Sequence, residues 1–255
     1  IDNKELQTDI AYAIENDGSD HIISATNSKV CVFFETEHET HLNFIIQAMF
    51  STTSTRERIP LNPQDTQNLE ILEHAGQIAA DSFPTLKALG LLNIGVIGMM
   101  PLEADANNPI ANIIYKKIIS TLSSEIELLP NKYGTFGNST NTMLCDMSWI
   151  DEILDQEQCL SLWGKPYFIN NCQPHNALYA YFKDKIGVKI VRANKLSSAL
   201  TKEFMEGQTD EWLITFYTQV HKVESLWKKM YVNTEVLLTK YIIRGTNNQQ
   251  CNPRD

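Results

Sequence analysis

A chain of 255 residues, 43% of them hydrophobic, with 11 Gly and 9 Pro, has ordinary globular usage and enough length to bury one large core or two small ones. Its formal charge is −10, and its densest basic points are the pairs Lys116-Lys117 and Lys228-Lys229, so a counterion-release mode of binding nucleic acid or an anionic membrane is excluded. No run approaches the roughly 18 apolar residues of a membrane span, and Asp2, Glu5 and Asp9 break the pattern of a secretory signal.

In chain order, residues 5–15 place Leu6, Ile10, Ala13 and Ile14 at helical spacing, and Asn16-Asp17-Gly18 ends that run. The apolar, β-branched and aromatic stretch 29–34 (KVCVFF) predicts a buried strand. A polar segment 35–41 follows, then a helix over 42–50 with Leu42, Ile45, Ile46 and Met49 on one side. Residues 51–67, with Pro60 and Pro63, read as a loop or insertion. Helices are expected over 69–80 and 84–89, with Gly90 as C-cap, then a strand over 93–100 (NIGVIGMM) and a helix over 110–122.

Gly, Asn, Ser and Thr make 130–142 a loop that carries the sequon Asn138-Ser139-Thr140. A short helix over 147–154, a strand over 166–170, a helix over 177–185 and a strand over 187–191 come next. The stretch 212–241 reads as a long helix, and 245–255 as a flexible tail. Alternating strands and helices predict one α/β domain over 1–244, with a mostly parallel central sheet, crossover helices and a long helical C-terminal extension. In that sheet 30–34, 94–99, 167–169 and 188–191 are neighbouring strands.

The five cysteines are odd in number, widely spaced and without a CxxC, which sets aside zinc-ribbon and thioredoxin-type chemistry. Cys31 and Cys172 lie in or beside expected strands and read as buried thiols, whereas Cys145 and Cys159 flank a short helix and are open to either a disulfide or free thiols.

Two of the six histidines fall in Glu35-Thr36-Glu37-His38-Glu39-Thr40-His41, at the expected end of a strand, where open α/β sheets hold ligands. A carboxylate beside an imidazole can fix its tautomer for general-base work. Glu37, His38 and His41, with His175, are also candidate ligands for a divalent transition metal, though the three-residue step from His38 to His41 is not the HExxH spacing. A solvent-exposed acidic turn with incidental histidines is the plain alternative. Cys172-Gln173-Pro174-His175 lies directly after another expected strand, and Glu103 just past a third. A parallel sheet would gather Glu35, His38, Glu103 and His175 along one edge, with Glu35, His38 and His175 within roughly 10 Å, as one reacting centre requires.

Two blocks, VCVFFETEHETHLNFIIQAM and PYFINNCQPHNALYAYFKDKIGVKIV, resemble the superfamily of erythromycin esterases, ChaN-type haem-binding lipoproteins, TraB-type proteins and TIKI proteases. The likeness runs through strand, Glu35-x-x-His38 and helix, then through His175 and Gly187; Phe34 stands where that family has Gly before Glu, and Cys172-Gln173-Pro174 replaces its small-residue turn. The resemblance implies hydrolysis of an ester or amide in a small molecule or peptide, with Glu35 orienting His38 as general base and Glu103 and His175 completing the site. The alternative it leaves is a catalytically silent interaction or structural domain of a secreted bacterial toxin or effector, with a protein partner. Haem or metal carriage is a third. Asn141-Thr142-Met143 has some likeness to amino-acid racemases, but Cys145 is displaced and a second cysteine turn is missing; no GxSxG occurs.

Overall fold

The computed structural model describes residues 7–62, 66–103, 107–165, 167–169, 172, 174, 176–227 and 237–254. Where the sequence reads as one domain, contacts divide the chain into two compact units, Ile1–Pro130 and Asn131–Asp255. Each mixes helices with small sheets. No helix among the described residues is long and apolar enough to cross a membrane.

The first unit runs β1 (Thr8–Ala11), β2 (Ala13–Asn16), β3 (Asp20–Ile23), β4 (Lys29–Val32), β5 (Phe34–Glu39), β6 (Ile45–Ala48), α1 (Thr66–Ala88), α2 (Ile94–Gly98), α3 (Pro109–Leu122) and β7 (Leu129–Pro130). Its four-stranded sheet has the order β1-β6-β4-β5. Only β4 and β6 are parallel; β1 pairs antiparallel with β6, and β5 with β4. The expectation of a mostly parallel sheet is therefore corrected here.

Three elements changed type, each for a local reason. The helix expected over 42–50 is β6 and its flanks, because Leu42, Phe44, Ile46, Ala48 and Phe50 are buried while Ile45, Gln47 and Met49 are exposed. That is strict alternation, and a period of two places Leu42, Phe44, Ile46, Ala48 and Phe50 on one face. The first expected helix gives way to β1 and β2, as Ile10 finds Ile46 across the sheet. The strand expected at 94–99 is α2, begun by Asn93, whose Oδ1 accepts the Val96 N–H at 3.1 Å.

Helices α1 and α3 pack closely at Gly76, where a Cβ would lie 3.0 Å from Lys117 Cγ. The α1 stripe of Leu72, Ala75, Ala79 and Phe83 is fully buried, as are Val30 and Ile46 of the sheet. Apolar area removed from water at about 25 cal/mol per Å² is what holds such a layer.

The second unit runs β8 (Phe136–Gly137), β9 (Thr142–Cys145), α4 (Ser148–Ile153), α5 (Gln156–Trp163), β10 (Tyr167–Phe168), α6 (Ala177–Tyr181), a π turn (Phe182–Ile186), β11 (Lys189–Val191), α7 (Ala193–Ala199), α8 (Lys202–Glu206), α9 (Asp210–Val220), β12 (Ile243–Arg244) and β13 (Gln250–Cys251). Strand β9 is buried through Thr142, Met143 and Leu144 and lies at the centre of an all-parallel sheet, β10-β9-β11. The expected strands at 167–169 and 188–191 thus share a sheet, but they flank β9 instead of pairing with each other.

Helix α9 stops at Val220, so the helix expected over 212–241 does not continue through 221–227, its part over 228–236 lying outside the described residues, and the Trp227 indole N–H donates to the Val220 carbonyl at 2.8 Å. A satisfied terminal acceptor of this kind closes a helix. After 244, Gln250-Cys251 pairs with Ile243-Arg244, and Arg244 holds Asp210 at 2.8 Å and the Gln208 carbonyl at 2.7 Å.

Candidate functional site

Of the residues singled out in the sequence, five lie among the described residues of the first unit. Strand β5 alternates, so Glu35, Glu37 and Glu39 are exposed while Thr36 is buried and His38 half-buried. Residues three apart on a strand point to opposite faces, which separates Glu35 from His38. The Glu-x-x-His pairing belongs to a helix or a turn and is lost on a strand. Glu37 instead meets Lys29 at 2.9 Å, and Glu39 meets the exposed His41 at 4.0 Å. Glu103 is exposed and follows α2, not a strand. His175 lies outside the described residues. Among the described residues no three His, Cys, Asp or Glu side chains gather closely enough to hold a metal ion.

His38 has a defined environment all the same. The loop from Ser51 to Pro60 is drawn shut at its neck by the fully buried Asn68 of α1, whose Oδ1 accepts from Ser51 N–H (2.8 Å) and whose Nδ2 donates to the carbonyls of Ser51 (2.8 Å) and Pro60 (2.9 Å). The loop then lays Ile59 N–H on His38 Nδ1 at 3.0 Å. Nδ1 is the acceptor, so the neutral ring carries its proton on Nε2. Burial, and secondarily the Arg58 guanidinium, hold the His38 pKa below its ordinary value. Loop, strand and the start of α3 enclose an open groove of about 620 Å³, lined by His38, Thr53, Glu57, Arg58, Leu61 and Pro109 among others.

The second unit holds a different constellation, which the sequence reading missed. From β9 the chain passes to β10 on one side; from β10 it crosses back over β9 to β11 on the other. The carboxyl ends of β9 and β11 are therefore a topological switch point, the kind of place where open α/β sheets hold ligands. Asp146 stands immediately after β9 and Arg192 immediately after β11. Asp146 N–H donates to the Val191 carbonyl at 3.3 Å, and Arg192 Nε lies 3.7 Å from Asp146 Oδ2. The Arg192 side chain is 64% exposed and that of Asp146 27%. Asp146 Oδ1 is itself buried and meets no hydrogen-bond donor among the described residues. Burial pushes the Asp146 carboxyl above its usual pKa, against the pull of Arg192 and of its own backbone N–H.

The nearly buried Tyr179 of α6 feels the same charges: burial, then Asp146, raise its phenol, and Arg192 lowers it. Tyr179 precedes the π turn that ends α6, and such turns gather at functional sites. Cys145 and Cys172 also bear on Tyr179; both thiols are raised by burial, Cys172 to about 12, and stay protonated at neutral pH. Signals existed for this site: TMLC is a short apolar run stopped by Asp146, and Arg192 closes GVKIV. Searches against protein families, curated proteins and solved structures find no match to this chain.

Proposed function

We propose that the second unit is a small-molecule-binding module whose ligand sits at the carboxyl ends of β9 and β11, with Arg192 as its anion-holding group. The observation that carries this is the strand order β10-β9-β11, which puts a switch point between the two strands ending in Asp146 and Arg192. An exposed guanidinium 3.7 Å from a partly buried carboxylate offers its outer N–H groups to an incoming anion. The test is a thermal shift of the full chain in acetate and in inorganic phosphate at constant ionic strength. A stabilisation by either anion that Arg192→Gln removes supports the reading; no Arg192-dependent effect of either overturns it.

A hydrolase reading centred on His38 has its own supporting observation, a half-buried imidazole held neutral above a groove. With Nδ1 engaged by Ile59, His38 serves there as an Nε2–H donor to a carbonyl oxygen, not as a base on water. Turnover of simple esters or amides by the parent chain, abolished in His38→Asn, would favour this reading over pure binding.

A further inference from the structure

We infer that the groove beside His38 holds a short peptide segment with a lysine or arginine side chain, its backbone carbonyls on His38 and Arg58 and its cation on Glu57. This concerns binding alone, and stands apart from the anion site of the second unit and from any turnover at His38.

The groove is open and large enough. Its volume of about 620 Å³ lies within the roughly 300–1,000 Å³ of ligand sites. The donors on its wall reach it. His38 spends Nδ1 on the Ile59 N–H at 3.0 Å; its Nε2 has no hydrogen-bond partner among the described residues and is not one of their buried unmatched atoms, so that N–H opens to solvent. Arg58 is exposed, lines the same groove and stands close enough for its charge to bear on the imidazole. Two neighbouring donors, one neutral and one charged, suit the carbonyl oxygens of a peptide.

The carboxylates set the sign of the side chain. Of the acids on the wall, Glu37 is taken by Lys29 at 2.9 Å, and Glu39 meets His41 only at 4.0 Å. Glu57 is exposed and has no ion-pair partner among the described residues. The charge left over is therefore negative, Glu39 and Glu57 against Arg58. A phosphate or a dicarboxylate drawn to Arg58 meets like charge at Glu57, whereas a basic side chain is attracted there. A simple alkylammonium brings the cation but no acceptor for His38 and Arg58. Leu61 and Pro109 supply apolar wall for the methylenes of a lysine or arginine stem.

The experiment is an amide-shift NMR titration of the full chain with three blocked tripeptides, acetyl-Ala-X-Ala-amide, where X is lysine, norleucine or glutamate. The lysine peptide should shift the His38, Ile59 and Leu61 amides and bind about two- to fivefold tighter than the norleucine peptide, the step that one solvent-open ion pair supplies. The glutamate peptide should bind more weakly than the norleucine one. Glu57→Gln should reduce the lysine advantage and leave norleucine binding unchanged; Arg58→Gln should weaken the lysine and norleucine peptides alike, since both use their carbonyls. Both substitutions fall on exposed side chains, so the fold is retained. Equal binding of the three peptides, or a lysine preference untouched by Glu57→Gln, overturns the assignment of the side chain. No saturable shift at His38, Ile59 and Leu61 with any of them overturns the peptide site itself, and leaves the Arg192 site untouched.

Discussion

Replacing Asn68 with Ala should cost about 2–3 kcal/mol of stability and free the loop that walls the His38 groove. Asn68 is fully buried in the first turns of α1 and makes three hydrogen bonds to backbone across the loop neck. Each is worth about 0.5–1.5 kcal/mol net, and up to about 3 kcal/mol where the abandoned partner stays dry. Ser51 is exposed and Pro60 half-buried, so their peptide groups can recover water, which keeps the sum near the middle of that range. A fourth consequence is indirect: with the neck open, Ile59 N–H no longer has to sit on His38 Nδ1. Urea denaturation gives the stability loss, and amide hydrogen exchange resolves where it falls. Exchange at Ile59 and across 51–60 should quicken well beyond that of the α1 and α3 amides. A loss below about 0.5 kcal/mol with unchanged loop exchange would refute the argument that Asn68 closes the loop.

Acid should weaken the first unit through His38. Its folded pKa is lowered, so the unfolded chain binds the proton more readily, and stability present above the ordinary imidazole value of about 6.5 is lost as pH falls through it. Urea midpoints at pH 7.5 and 5.5 measure this, and His38→Asn, which keeps an acceptor near Nδ1, should lessen the drop; an equal drop in both proteins would count against His38. Phe33 turns the β4–β5 hairpin at φ +60° with its side chain 70% exposed, a conformation that L residues with bulky side chains avoid. Phe33→Gly should therefore raise stability by about 0.5–1 kcal/mol, since it relieves the backbone and removes little packing; a clear fall in the melting temperature would show that the exposed ring is held by contacts worth more than the strain.

What could be read from the sequence divides along a physical line. Elements that carry their own signal were legible: α3 with its Ile110, Ile114, Ile118 and Leu122 stripe, the strand at Lys29–Val32, and β10-α6-β11 as a crossover. Elements that exist only through distant pairing were not. Ile10 is equally at home on a helix face or opposite Ile46, and it is β6, far along the chain, that decides. At 42–50 both periods fit some apolar residues, and only the alternation of Phe44, Ile46 and Ala48 satisfies every buried one.

The site followed from those misreadings by necessity. Once 35–41 is a strand instead of a turn, Glu35 and His38 face apart, and a motif defined by spacing loses its geometry while its letters remain. Asp146 and Arg192 show the converse. Neither belongs to a motif, they are remote in sequence, and the four-residue strand that ends before the first of them begins where the expected loop 130–142 stops and was given no element. They meet because β9 and β11 are parallel neighbours in register, Cys145 opposite Val191, so the residue after each strand arrives at the same edge. A short central strand thus determines which side chains can share a ligand, and its recognition rests on nonlocal hydrogen bonds that no local pattern of residue types encodes.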